Sequence, residues 1–167
     1  MVLVRRAGPG DQPILEQMLA LAANWRHGDG SGLRAGVSTD AGLARYVTGW
    51  PRSGDAGVVA EGAGGHCLGA AWFRLFSADE PGFGFVSPTT PEVSIAVVPA
   101  ARGNGIGTAL LTHLVEEARR QDIGQLSLSV EQDNPARRLY SRIGFTPLAS
   151  RPSGDRAVTM LLALTSG

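Results

Sequence analysis

The chain has 167 residues, a formal net charge of +0 and a hydrophobic fraction of 43%. That length supports one domain with a real core and is short for two. The charge balance excludes a broad electrostatic footprint for nucleic acid. Every basic residue is Arg, so mechanisms that need a lysine, such as those of phosphate-loop NTPases and Schiff-base enzymes, are excluded. A single cysteine, Cys67, cannot form an internal disulfide and suits a reducing compartment. The start, "MVLVRRAGPGDQP", has no apolar stretch fit for a signal peptide, and no run approaches membrane-spanning length. The expectation is a single cytoplasmic domain over 1–167.

In chain order, "VLVRR" (2–6) reads as a first strand. "GDQPILEQMLALAANW" follows as a helix, with Ile14, Met18, Leu21 and Ala22 at helical spacing and Asp11 or Gly10 as its cap. A glycine-rich segment, 26–36, leads to "STDAGLARYVTGW" (38–50), a second helix carrying Leu43, Tyr46, Val47 and Trp50. The period then changes. "AGVVAEGA" and "HCLGAAWFRLFS", joined by glycines, predict an antiparallel hairpin. After a connection containing "DEPGFGF" comes "PEVSIAVVP" (91–99), a buried strand.

From Ile106 a helical stripe runs through 110, 111, 114, 115 and 118 to Arg119 and Arg120. "QLSLSVE" (125–131) alternates as a strand does. "DNPARRLYSRIGF" opens with a capping Asp or Asn and Pro135 at the first helical position, and Gly144 ends it. Two strands follow, "FTPLAS" and "RAVTMLLAL". The order β-α-α-β-β-β-α-β-α-β-β makes an α/β (mixed α+β) domain. The strand–helix–strand unit at 92–130 makes its two strands parallel, by a right-handed crossover, and the hairpin makes the sheet mixed.

The densest signal is "RGNGIGTAL" (102–110), three glycines in five residues just ahead of a helix. A helix start exposes about four backbone N–H groups without internal partners, at the positive end of the dipole. Gly103, Gly105 and Gly107 let those amides approach a guest, and phosphate or diphosphate is the natural one. A dinucleotide fingerprint would need glycine where Thr108 stands, and a phosphate loop would need a lysine. A tight turn without a ligand is the remaining alternative.

The surroundings of this turn carry a resemblance. "PEVSIAVVPAARGNGIGTALLTHLVEEA" resembles the central motif of the GCN5-related N-acetyltransferases (GNAT), a strand, an [RQ]-x-x-G-x-[GA] loop and a helix that bind acyl-coenzyme A. The loop here is Arg102-Gly103-Asn104-Gly105-Ile106-Gly107, followed by Thr108. A second family element, N-[PA]-x-x-x-x-Y-x-[KR]-x-G-F after a strand, is similar to "LSLSVEQDNPARRLYSRIGF". Together the two cover roughly a third of the chain, while the N-terminal third agrees only in its element order.

The resemblance implies a three-layer α/β/α fold with a mixed, splayed sheet of about seven strands. It implies acetyl-CoA as cosubstrate, its diphosphate on residues 102–108 and its pantetheine arm on unpaired backbone groups around Val97 and Val98. It also implies N-acetyl transfer to a primary amine of a small molecule, amino acid or peptide. A non-catalytic acyl-CoA-binding module is the alternative. Tyr140 matches the tyrosine that handles the leaving thiolate, or else it is a core aromatic. Glu92 opens the strand lining the acceptor side and is the candidate base, with Ser94 positioning a water as its competitor.

Asn134 reads as a helix cap and a cofactor contact, and Arg137 and Arg138 as phosphate contacts or solvated arginines. Trp25, Trp50, Trp72, Phe83 and Phe85 lie in segments that, by the same resemblance, flank the acceptor side, with no more than two expected to line a pocket. Asp79 and Glu80 could attract a cationic amine. His27, His66 and His113 sit in separate elements and give no metal-ligand spacing, and His66 and Cys67 point to opposite strand faces. No metal, nucleic acid or membrane is expected. The apolar end "VTMLLAL" could pair across a homodimer or serve as an internal strand.

Overall fold

The computed structural model describes residues 1–24, 41–148 and 157–164. Trp25, His27, the segment 26–36 and the first residues of the expected second helix, 38–40, lie outside the described residues, as do 149–156 and 165–167. Among the described residues a seven-stranded sheet runs in the order β1-β2-β3-β4-β5-β7-β6. Its strands are β1 Leu3–Arg6, β2 Ala56–Glu61, β3 Cys67–Arg74, β4 Glu92–Val97, β5 Gln125–Glu131, β6 Thr146–Pro147 and β7 Ala157–Ala163.

All neighbours are antiparallel except β4 and β5, which are parallel as the crossover rule requires. β7 lies inside the sheet, paired with β5 along its length and with β6 at Thr146↔Leu161 and Pro147↔Met160. That is the internal-strand alternative for "VTMLLAL".

The alternation of β4 and β5 divides their side chains between two cores. Val93, Leu126, Leu128 and Val130 face α3 (Ile106–Arg120) and α4 (Ala136–Ile143), packing with Leu110, Leu111, Leu114 and Tyr140. Ala96 faces the other layer, where α1 (Gln12–Ala23) packs with Tyr46, Val47, Trp50 and Trp72. The three-layer arrangement follows from this division.

Two helices differ from expectation. α1 buries Leu15, Met18 and Leu19, whereas Ile14, Leu21 and Ala22 are only partly buried, so the helix is rotated from the predicted stripe. Asp11 does not cap it with its side chain. Its carboxylate accepts two hydrogen bonds from Arg5, at 2.8 and 2.9 Å, and one from the Gly8 N–H at 2.7 Å.

The second helix ends early. α2 covers Ala41–Ala44, and residues 45–50 form turns. The physical reason is competition for carbonyls: Ala44 O still accepts from the Thr48 N–H at 2.9 Å, but the Arg74 guanidinium takes the carbonyls of Arg45 and Thr48 that the next turn would use. Gly49, at φ +72°, then turns the chain away.

Candidate functional site: a cleft through the splayed sheet

β4 and β5 are joined at one rung, Glu92↔Ser127, with the Ser127 N–H donating to Pro91 O at 3.0 Å. Beyond it they separate. The opening belongs to a cleft of about 1190 Å³ that reaches both faces of the sheet. One side of it is lined by Leu19, Ala22, Leu43, Tyr46, Phe83 and Glu92, the other by Gly107, Asn134, Leu139 and Tyr140.

Register decides which backbone groups face the gap. The Val98 N–H donates to Leu68 O on β3 at 2.8 Å, and Val98 O accepts from the Ala101 N–H at 3.0 Å. Val98 therefore does not supply the unpaired groups expected of it. By antiparallel alternation the backbone of Ile95 and Val97 faces β5 instead. The Val97 carbonyl accepts from Arg102 Nε at 3.1 Å. Ile95, which the sequence reading did not single out, joins Val97 as the row open to the cleft.

At one end of the cleft lies the start of α3. Gly103 and Gly105 both adopt φ +78°, a left-handed conformation that side chains rarely accept, and Gly105 is the residue preceding the helix. No side chain caps the first amides of α3, and a cavity of about 210 Å³ opens against them. Arg102, Gly103, Gly105, Ile106, Gly107, Thr108 and Arg142 line it.

The residues of the loop have divided tasks. Asn104 donates to Ala101 O and Arg102 O at 3.0 and 3.2 Å, which holds the turn itself. Ile106 is buried in the core. Gly107 permits close packing, since a Cβ there would lie 2.8 Å from Leu139 Cδ2 on α4. An open cradle of uncapped amides with two arginines at its rim fits a diphosphate. Arg142 was missed as a candidate, although it occupies the [KR] place of the second motif. Arg137 instead donates to Gln132 O at 3.1 Å.

At the other end of the cleft, Glu92 is 3% exposed and held from two sides. Its Oε1 accepts from the Gly84 N–H at 2.8 Å, and its Oε2 accepts from the Tyr46 hydroxyl. Burial pushes the Glu92 carboxyl up to about 7, against the opposing pull of these two donors. The segment Gly82-Phe83-Gly84 comes this close because it lacks side chains at two positions. A Cβ on Gly82 would collide with Glu92 Oε1, and one on Gly84 would lie 2.8 Å from the Leu128 carbonyl carbon. The pair of glycines in "PGFGF" was the available signal for this approach.

Tyr140 lines the cleft from α4 and packs edge-on against Phe145, with ring centroids 6.2 Å apart. Burial pushes its hydroxyl up to about 12, so it stays protonated across the physiological range. Asn134 caps α4, its Oδ1 accepting from the Ala136 N–H at 2.9 Å, and also lines the cleft. Ser94 lines it too.

Among the flanking aromatics that are described, Phe83 reaches the cleft, while Trp50 and Trp72 are core residues with their indole N–H groups on Gly8 O and Tyr46 O. Asp79 and Glu80 are exposed and outside the cleft lining. No group of three or more His, Cys, Asp or Glu suited to a metal ion occurs among the described residues, and none of their helices is long and apolar enough to cross a membrane.

Comparisons with known proteins agree with this geometry. The acetyltransferase (GNAT) family profile matches residues 34–145. The chain is 34% identical over 92 residues to a mycothiol acetyltransferase of Saccharomonospora viridis, covering 54% of this chain and 30% of that protein. It is 34% identical over 76 residues to a [ribosomal protein bS18]-alanine N-acetyltransferase of Haemophilus influenzae, covering 42% and 52%. The chain thus spans about a third to a half of the length of these curated relatives.

Among solved structures, yncA of Salmonella typhimurium, determined with acetyl-CoA, superposes with a TM-score of 0.68 at 28% identity, covering 99% of this chain and 95% of that one. A ribosomal-protein-alanine N-acetyltransferase of Brucella melitensis gives 0.68 at 27% identity, covering 97% and 99%. The splayed β4–β5 pair, the glycine turn ahead of α3 and the profile match lead to one conclusion: the chain belongs to the acetyltransferase (GNAT) family.

Proposed function

We propose that this protein is an acetyl-CoA-dependent N-acetyltransferase acting on a primary amine in the cytoplasm. One observation carries the reading: a single cleft passes through the sheet, with uncapped helix amides at one end and a buried carboxylate at the other. Acetyl-CoA supplies the activated acyl group. The first amides of α3, with Arg102 and Arg142 beside them, hold its diphosphate, and the open backbone of Ile95 with the N–H of Val97 holds the pantetheine arm as an added strand would.

Transfer forms a C–N bond and breaks a C–S bond, so the amine must lose a proton and the sulfur must be relieved of negative charge. Glu92 receives the amine's proton, directly or through a water positioned by Ser94. A carboxyl near 7 is suited to this because both of its protonation states are populated at neutral pH. The Tyr140 hydroxyl serves the sulfur. Its proton is held more tightly than that of a thiol, normally about 8.5, so it stabilises the departing charge by hydrogen bonding ahead of any full transfer.

On the acceptor side Leu19, Ala22, Leu43 and Phe83 give the cleft an apolar wall above Glu92, which favours an amine with an apolar body.

The test is a thiol-release assay over a panel of amines, with Tyr140→Phe compared with wild type on the best acceptor. The variant keeps the ring, so acetyl-CoA binding should persist while turnover falls by about 10²-fold or more. Binding of acetyl-CoA with no turnover on any amine would overturn the enzyme reading and leave an acyl-CoA-binding module.

A further inference from the structure

The acceptor end contains a hydrogen-bond chain that goes beyond Glu92 itself. The Tyr46 hydroxyl is engaged twice, accepting from the Phe83 N–H at 2.8 Å and donating to Glu92 Oε2. Its ring is fixed by an edge contact with Phe76, at 4.9 Å between centroids, and a stacked contact with Phe83 at 6.1 Å.

Its backbone is fixed as well. Trp72 Nε1 donates to Tyr46 O at 3.1 Å, and Arg74 Nη1 donates to the carbonyls of Arg45 and Thr48, at 2.9 and 2.7 Å. Arg74 is in turn locked by Asp55 through bonds of 3.1 and 2.7 Å, with both side chains 1% exposed. Buried polar groups connected this completely define one arrangement.

We propose that Tyr46 is a positioning residue for the acyl transfer: its hydroxyl orients the Glu92 carboxyl and supports its ionised form, and the Asp55–Arg74 pair holds Tyr46 in place. This rests on the reading of Glu92 as the base. With Oε1 on the Gly84 N–H and Oε2 on Tyr46, the carboxylate cannot rotate, so its remaining lone pairs keep fixed directions. A donor to an ionised carboxylate favours the charged form and opposes the effect of burial.

Few other charges act here. From the turn itself comes Arg45, whose Nη1 donates to Pro81 O at 2.6 Å. From β3 comes Arg74, held by Asp55. β5 places Ser129 and Glu131 in the cleft lining, while α1 and the described loop 81–85 bring no titratable side chain to it.

The experiment compares wild type, Tyr46→Phe and Glu92→Gln by ¹³C-carboxyl NMR titration and by pH–rate profiles. Glu92→Gln assigns the Glu92 resonance. In Tyr46→Phe the Glu92 titration should move up from about 7 by about one to two pH units, the strength of a charge-assisted hydrogen bond. The acidic limb of kcat should move with it, while KM for acetyl-CoA stays unchanged.

Should Tyr46→Phe fail to fold, 3-fluorotyrosine at position 46 makes the same test in the other direction, because it keeps the ring and makes the hydroxyl a stronger donor to Glu92 Oε2, which moves the titration down. A Glu92 titration that stays where wild type has it, in a folded variant, overturns the proposal. An acidic limb that survives Glu92→Gln instead removes Glu92 as base, and the NMR titration then still decides Tyr46's hold on the carboxyl.

Discussion

Arg74 and Glu92 are register partners across β3 and β4, yet no ion pair joins them. The guanidinium is engaged by Asp55 and two backbone carbonyls, and the carboxyl by Tyr46 and the Gly84 N–H. Had Arg74 turned to Glu92, the carboxyl would be held low and would make a poor base at neutral pH. Asp55 therefore keeps a cation occupied beside the site.

Asp55→Asn should accordingly do two things. It leaves a buried guanidinium without its counter-charge, which costs about 3 kcal/mol or more of stability. It also frees Arg74 for Glu92, and a direct ion pair outweighs the slackened hold on Tyr46, so the acidic limb of the pH–rate profile moves downward. Denaturant unfolding and kinetics on one preparation measure both effects, and a variant as stable as wild type would show that the pair is dispensable.

Glu92 makes a stability prediction of the opposite sign to most carboxylates. Its folded-state value, about 7, lies above the ordinary 4.5, so the native state binds the extra proton. Stability therefore falls as pH rises between these two values, by an amount on the order of 3 kcal/mol. Glu92→Gln, which keeps the side-chain shape but turns one of the two accepting oxygens into an NH2 donor, should remove this slope, the lost acceptor adding an offset that is constant from pH 4 to 8. Melting temperatures of the two proteins from pH 4 to 8 are the measurement, and parallel curves would contradict it.

At the other end of the cleft, Gly105 allows strain and charge to be separated. Any side chain there suffers the φ of +78°, and Asn and Asp tolerate that conformation similarly. Gly105→Asp and Gly105→Asn should thus be about equally destabilised. Only the Asp variant opposes a diphosphate, so its affinity for coenzyme A should fall at least about tenfold below that of the Asn variant. Equal affinities by calorimetry would remove the uncapped amides as the anchor.

Ser127, at the one rung joining β4 to β5, is fully buried, and its hydroxyl has no partner among the described residues. An unmet buried hydroxyl is a liability that Ala removes without changing the backbone. Ser127→Ala should raise stability by about 1 kcal/mol, read from chemical denaturation. A loss of stability would show that the hydroxyl is satisfied in solution.

Much of the fold was legible because its signals are local. The stripe from Ile106 to Ala118, the alternation of "QLSLSVE" and the Pro135–Gly144 bracket each specify an element from neighbouring residues, and α3, β5 and α4 stand where they indicate. The glycine turn ahead of α3 was legible for the same reason.

What could not be read depends on distant partners. Tyr46 and Glu92 are separated by 46 positions, and Tyr46 looks like one more apolar residue of a helix. That helix stops at Ala44 because Arg74, on β3, takes carbonyls it would have used. Val97 and Val98 differ only in strand register, which the Leu68 bond settles.

The single rung between β4 and β5 also has a mechanical consequence. The seven strands form two plates, β1–β4 and β5–β7–β6, fastened at Glu92↔Ser127. Any change in the angle between the plates turns about that fastening. At about 3.3 Å per residue, Val97 stands about 16 Å along the arm, so a rotation of about 5° carries it about 1.4 Å. Glu92, at the pivot, scarcely moves. The fold thus lets the two plates open and shut at the Val97 end while the Glu92 carboxyl keeps its place.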